Sequence, residues 1–212
     1  MRRVPAAGLC ALLAALAGCG ASAPTPLPQE RLDAVAAAFH DREANRAVAP
    51  DQIPLKFLDM EGKTVDLTSF RGTSNVLLVV VKGLPKFPGG RFCPGCLAQV
   101  NALAANHAEF KSRQTEVVMV FPGPADRVPD FLAQGRVGGA SGTERLPFPL
   151  LRDADLKAVT ALGIAGDWAR PSTYILDKSG NAVFAFVGEG TTDRPSVSSL
   201  LARLDKLNAA GP

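Results

Sequence analysis

The run "NVLLVVVK" (residues 75–82) leads through "GLPKFPGGRF" (83–92) into "CPGCLAQV" (93–100). Eight residues without an acid, Gly or Pro, dominated by Val and Leu, predict a strand covered on both faces. Beyond the second cysteine, Leu97, Val100, Leu103 and Ala104 recur at helical spacing, so a helix is expected to begin at the cysteine pair. Strand, loop, Cys-Pro-Gly-Cys and helix therefore follow in that order. Residues 82–92 form a long approach to Cys93 and carry Lys82, Lys86 and Arg91. These charges either stabilise a thiolate or meet an acidic partner, or they form an ordinary solvated loop.

Two cysteines around Pro-Gly can be half a zinc site, a structural staple or a redox centre. The thiolate is the reactive form of cysteine. The N-terminus of a helix, with its free N–H groups and partial positive charge, lowers a thiol pKa from about 8.5 into the range of roughly 3.5–7.5. Pro94 suits the first helical position, where no N–H is needed. A spacing of two residues brings Cys96 within bridging reach of Cys93. These considerations assign Cys93 as the nucleophile and Cys96 as the resolving thiol. A bridge closing so short a loop removes little entropy from the unfolded chain, which argues against a purely structural role.

The rest of the chain limits the metal option. Its start, "MRRVPAAGLCALLAALAGCG" (1–20), has a basic head, an apolar run and small residues before a cysteine, the layout of a secretory signal. The apolar run is about a dozen residues, short of the ~20 that span a bilayer. Leu16-Ala17-Gly18-Cys19 resembles the lipobox of bacterial lipoproteins. That resemblance implies cleavage of residues 1–18, loss of Cys10, and acylation of Cys19, which anchors the chain to a lipid bilayer. Gly20 stands where enterobacterial inner-membrane lipoproteins carry Asp, which points to the outer membrane, with the domain facing the periplasm. Only Cys93 and Cys96 then remain as thiols, with His40 and His107 the two histidines. A structural zinc needs four ligands, and His107 stands about 16 Å from Cys96 along a continuous helix. No metal or other cofactor is expected. Export also places the pair where disulfides form and persist.

Composition adds exclusions. The 212 residues are 47% hydrophobic and 20% charged, the balance of a packed globular protein. Net charge is +3, and removing residues 1–18 takes away Arg2 and Arg3, so 23 basic side chains become 21 against 20 acidic. Nothing here favours nucleic acid as a partner. No glycine-rich phosphate loop follows a strand, and no Ser-His-Asp arrangement appears.

Outward from the cysteines, "GASAPTPLPQE" (20–30) reads as an extended tether, and Leu32, Val35, Ala36 and Phe39 mark a short amphipathic helix. Residues 19–52 are thus tether and helix, and 53–210 the folded domain. "PLKFLDMEGKTVDL" (54–67) predicts two short strands about Glu61-Gly62, and "TEVVMVFPG" (115–123) a second buried strand. "ADRVPDFLAQ" (125–134) is weakly helical and interrupted by Pro129. A Gly/Ser-rich loop (135–147) precedes a strand, an Asp cap and a helix in "FPLLRDADLKAVTALGI" (148–164). "STYILDKSGNAVFAFVG" (172–188) is a hairpin turning at Ser179-Gly180, and "RPSVSSLLARLDKL" (194–207) a closing helix with Leu200, Leu201 and Leu204 inward. An α/β domain with a mixed sheet accounts for these elements.

"FCPGC" before a helix, then "RPSTYILDKSGNAVFAFVG" and "DRPSVSSLLARL", resembles the thioredoxin-like redoxins, in particular the AhpC/TSA or peroxiredoxin-like branch. "LKFLDMEGKTVDLTSFRG" resembles that branch's N-terminal hairpin. The resemblance spans residues 53–207. It implies a thioredoxin-like fold, with a central mixed β-sheet flanked by helices and an N-terminal β-hairpin extension. It also implies thiol–disulfide oxidoreductase activity, with protein thiols or disulfides as substrates and a thiol protein as electron donor. In these families a cis-proline faces the cysteines and its backbone binds an extended substrate; Pro171 matches it, which places Arg170 beside the pair. Peroxiredoxins carry Pro-x-x-x-Thr-x-x-Cys. Counting back from Cys93 finds Gly90 and Lys86 at the Thr and Pro positions, and from Cys96 finds Cys93 and Gly89. Neither register fits, so hydroperoxide reduction by a peroxiredoxin-like peroxidase is the second reading. A third, a copper-binding assembly factor of the membrane-anchored redoxin type, uses CxxxC and a distant histidine, where this chain has CxxC and no histidine after His107.

Overall fold

The structure, a computed structural model, describes residues 25–84, 91–136 and 146–211. Cys10, Cys19, the signal layout, Lys86 and most of the Gly/Ser-rich stretch lie outside them. In chain order the elements are α1 (Gln29–Ala37), β1 (Lys56–Leu58), β2 (Thr64–Asp66), β3 (Asn75–Val80), α2 (Pro94–Ala105), α3 (His107–Ser112), β4 (Thr115–Pro122), α4 (Val128–Gln134), β5 (Leu150–Asp153), α5 (Lys157–Ala161), β6 (Ser172–Leu176), β7 (Ala182–Val187) and α6 (Val197–Ala209).

The strands form one sheet in the order β2-β1-β5-β4-β3-β6-β7. β3 runs parallel to β4 and antiparallel to β6, so the sheet is mixed. All six residues of β3 are buried, as its apolar run predicts. Alternation divides them: Leu77 and Val79 pack with α2 and α6 on one face, whereas Val76, Leu78 and Val80 pack with α5 on the other. Full burial of each such side chain contributes about 1.5–3 kcal/mol, which makes β3 the axis of the sheet. The β1–β2 hairpin attaches antiparallel to β5 at one edge, the expected N-terminal extension. The turn between β6 and β7 is closed by Asp177, whose Oδ1 accepts from the backbone N–H groups of Ser179 and Asn181, while Gly180 takes φ +89°.

Two local expectations are corrected. Pro129 opens α4 instead of interrupting it, because it falls in the first turn, where its missing N–H has no intrahelical partner to lose. His107 is not on the cysteine helix. α2 ends at Ala105, where the Asn106 side chain donates to the Ala102 carbonyl, and His107 heads α3 with its ring 6.0 Å from that of Phe148.

α1 packs against α2, and Leu27, Leu32 and Phe39 join the core on that face. From there the chain crosses to the opposite edge of the sheet. Asn45 pairs with β7, its backbone N–H donating to Ala185 O while its side chain exchanges two hydrogen bonds with the backbone of Val187, both 2.9 Å. This covers part of an edge that would otherwise present unpaired backbone groups.

Candidate active site

The sulfurs are placed by the junction of β3 and α2. Cys93 is the N-cap of α2 and Pro94 its first residue, so the N–H groups of Gly95 and Cys96 point at the Cys93 sulfur. Both cysteines are free thiols, Cys93 partly exposed and Cys96 buried at 1% exposure. Cys96 Sγ also accepts from the backbone N–H of Lys82 at 3.2 Å, tying the helix to the end of the β3 segment.

The two environments push the thiols apart. The Cys93 thiol is lowered to about 5: the Cys96 thiol donates to it, burial opposes this, and the Arg194 charge and the N–H groups of Cys96 and Gly95 favour the thiolate. Burial pushes the Cys96 thiol up, and its hydrogen bond to Cys93 reinforces that shift against the pull of Arg194. Divergent values within one pair separate a nucleophile from a proton-holding partner.

Arg194 is the residue that sequence reasoning missed. It is 2% exposed, and its guanidinium lies against both cysteine sulfurs. Nη2 reaches Cys96 Sγ at 3.2 Å and Cys93 Sγ at 3.7 Å, Nη1 donates to Gln99 Oε1 at 2.6 Å, and Nε donates to Thr191 O at 3.1 Å. A buried cation needs a counter-charge. None of these acceptors is a carboxylate, so among the described residues the balancing charge is the Cys93 thiolate. Gln99, itself 3% exposed, also donates to Thr173 Oγ1 at 3.4 Å, linking α2 to β6. Gln99 carried a legible signal: it is a polar residue three positions after Cys96, on the same helical face. Arg194 carried none, because a charged residue ahead of a helix ordinarily faces water.

Glycine 95 explains the Pro-Gly order. A Cβ there would fall 1.8 Å from Thr191 O and 2.9 Å from Arg194 Nε. The loop bearing Arg194 can lie on α2 only because this residue has no side chain.

Cys93 opens into a cleft of about 390 Å3 lined by Lys82, Gly166, Asp167, Arg170, Pro171 and Glu189 among others. The structure thus brings Cys93, Pro171, Arg170 and Lys82 to one cavity. Arg91 is exposed, and Arg170 pairs with Glu189 at 3.0 Å. The family's cis-proline is not reproduced: no cis peptide bond occurs among the described residues. Pro171 enters β6 through a trans bond and its carbonyl accepts from Gly188 N–H at 2.8 Å. No group of three or more His, Cys, Asp or Glu that could hold a metal gathers among the described residues.

Comparison with known proteins places this geometry. Residues 46–184 match the AhpC/TSA family. Over 164 residues the chain is 28% identical to chloroplastic peroxiredoxin Q of Triticum aestivum, covering 76% of this chain and 67% of that protein. Its fold is similar to that of peroxidoxin BcpB from Mycobacterium tuberculosis (TM-score 0.57, 16% identity, 79% of this chain and 99% of that one). It is also similar to a secreted Mycobacterium tuberculosis disulfide oxidoreductase homologous to E. coli DsbE (TM-score 0.53, 16% identity, 74% and 99%). With a thioredoxin-like fold and with residues 46–184 matched by this family model, the chain belongs to the AhpC/TSA family.

Proposed function

We propose that the protein is a thiol–disulfide oxidoreductase in which Cys93 attacks and Cys96 resolves. The observation that carries this reading is the contrast between the sulfurs: Cys93 lines the cleft with its pKa lowered to about 5, while Cys96 is buried and raised. Because the folded value of Cys93 is depressed, it is a thiolate at every pH above about 5. Its reactivity is lost as pH falls through that value.

In the reducing direction the Cys93 thiolate attacks one sulfur of a substrate disulfide. A Cys93–substrate bond forms, the substrate S–S bond breaks, and the released substrate sulfur takes a proton. Cys96 then loses its proton to solvent or to the departing thiolate, and Arg194, 3.2 Å away, stabilises the new charge. Attack of Cys96 on Cys93 Sγ forms the intramolecular disulfide and expels the second substrate thiolate. A separate dithiol protein restores the reduced pair. Run backwards, the same steps oxidise a substrate dithiol.

The cleft favours a polypeptide substrate. Cys93 lies on its wall with Pro171 and residues 189–191, where an extended segment carrying a disulfide would bring a sulfur against it. Cys96→Ser is expected to leave the first attack intact and to accumulate a mixed disulfide on Cys93 when a disulfide-bonded protein is supplied. Thiol peroxidase activity is the second reading, supported by the likeness to peroxiredoxin Q. Rapid hydroperoxide consumption with a trapped sulfenic acid, and no exchange with protein disulfides, would establish it instead. The proposal includes an envelope location with lipid on Cys19. Among the described residues no helix is long and apolar enough to cross a membrane, and Cys19→Ser is expected to move the protein to the soluble fraction.

A further inference from the structure

Between α1 and the β-hairpin, residues 39–46 run along the outer side of β7 and the loop that follows it. We propose that this N-terminal strap is the positioning element for Arg194, so that a segment ahead of the family domain sets the charge around the cysteine pair. The family match begins at residue 46 and ends at 184. The strap up to residue 45 and Arg194 therefore both lie outside it.

The contacts bracket the loop between Val187 and Ser196. On its near side, the Asn45 side chain bonds both backbone groups of Val187. On its far side, His40 N–H donates to the carbonyl of Arg194 at 3.3 Å, and Ser196 N–H donates to the carbonyl of His40 at 2.9 Å. Between them, Arg42 pairs with Asp193 at 3.0 Å, and the other Asp193 oxygen accepts from Glu189 N–H at 3.0 Å. Asn45 serves the edge of β7. The bonds from His40 and Arg42 go instead to Arg194 itself and to its preceding residue.

This geometry matters because the guanidinium has little tolerance. Its reach to Cys93, 3.7 Å, is near the limit for a hydrogen bond to sulfur, whereas that to Cys96 is 3.2 Å. A loop displacement of about one ångström would remove the first contact. The Arg42–Asp193 pair is about one-third exposed, so its contribution to global stability is small. Its effect is on where the loop sits.

The test uses the full reduced chain and iodoacetamide, with alkylation of Cys93 followed by mass spectrometry as a function of pH. Lys82, Asp167, Arg170 and Glu189 also border Cys93 and stay unchanged. In the parent the midpoint is expected near 5. In Arg42→Ala/Asn45→Ala it is expected to rise, cutting alkylation at pH 6 relative to the high-pH plateau by about three- to tenfold. Arg42→Ala alone should shift it less in the same direction, and Arg42→Lys should restore it. In an Arg194→Met background the strap substitutions should add nothing. A folded variant with an unmoved midpoint overturns the proposal, as does an equal shift in the Arg194→Met background. If the double variant fails to fold, Arg42→Ala alone, at a side chain about one-third exposed, decides by the same criterion. The measurement involves no disulfide substrate, so its outcome is independent of the proposed activity.

Discussion

Cys93→Ser is expected to lower the rate of protein disulfide exchange by about a thousandfold or more, with the fold retained. A serine hydroxyl at that position is not ionised near neutral pH, whereas the thiol it replaces is a thiolate above about pH 5. Cys96 cannot substitute for it. Its sulfur is 1% exposed, its pKa is raised by burial, and the cleft is lined by Cys93. The paired experiment makes the assignment decisive: Cys96→Ser should stop turnover but still form the mixed disulfide. Retained attack in Cys93→Ser with loss in Cys96→Ser would make Cys96 the reacting sulfur and overturn the assignment.

Gly95→Ala is expected to destabilise the protein by about 2–3 kcal/mol, against the helical preference of alanine, which alone would stabilise it by about 0.5–1 kcal/mol. The reason is the added Cβ, 1.8 Å from Thr191 O and 2.8 Å from Thr191 C. Both are backbone atoms, so the loop must move as a body. That loop carries Arg194, whose Nε bonds the same Thr191 carbonyl. Two readouts should therefore change together: thermal unfolding falling by about 5–10 °C, and the Cys93 midpoint moving upward as the guanidinium withdraws. A variant as stable as the parent, with an unshifted midpoint, would show that the loop does not rest on Gly95.

The paired readout in Gly95→Ala also bears on electron flow. Interactions that favour the Cys93 thiolate stabilise the reduced pair, and a stabilised reduced form makes a dithiol couple more oxidising. Arg194, the Cys96 thiol and the N–H groups at the start of α2 all act in that direction. Loss of Arg194 is therefore expected to make the couple more reducing.

Sequence periodicity determined the architecture because apolar patterning reports burial directly. The run at residues 75–80 reads as a doubly covered strand, and Ser179-Gly180 marks a turn, as the structure has them. The cysteine pair and the helix start that follows it were legible because they are local, within one turn of chain. What failed locally was small, as with Pro129, which opens a helix, and Asn106, which ends one. Arg194, Gly95 and the strap were decided only by tertiary structure. Arg194 lies 101 residues from Cys93 in sequence and 3.7 Å from it in space. Gly95 is required by a carbonyl 96 positions later, and His40 holds a backbone group 154 positions away. A buried cation, an absent side chain and a backbone hydrogen bond leave no periodic trace. Their meaning depends on what the fold sets against them, here a thiolate whose charge only long-range packing could balance.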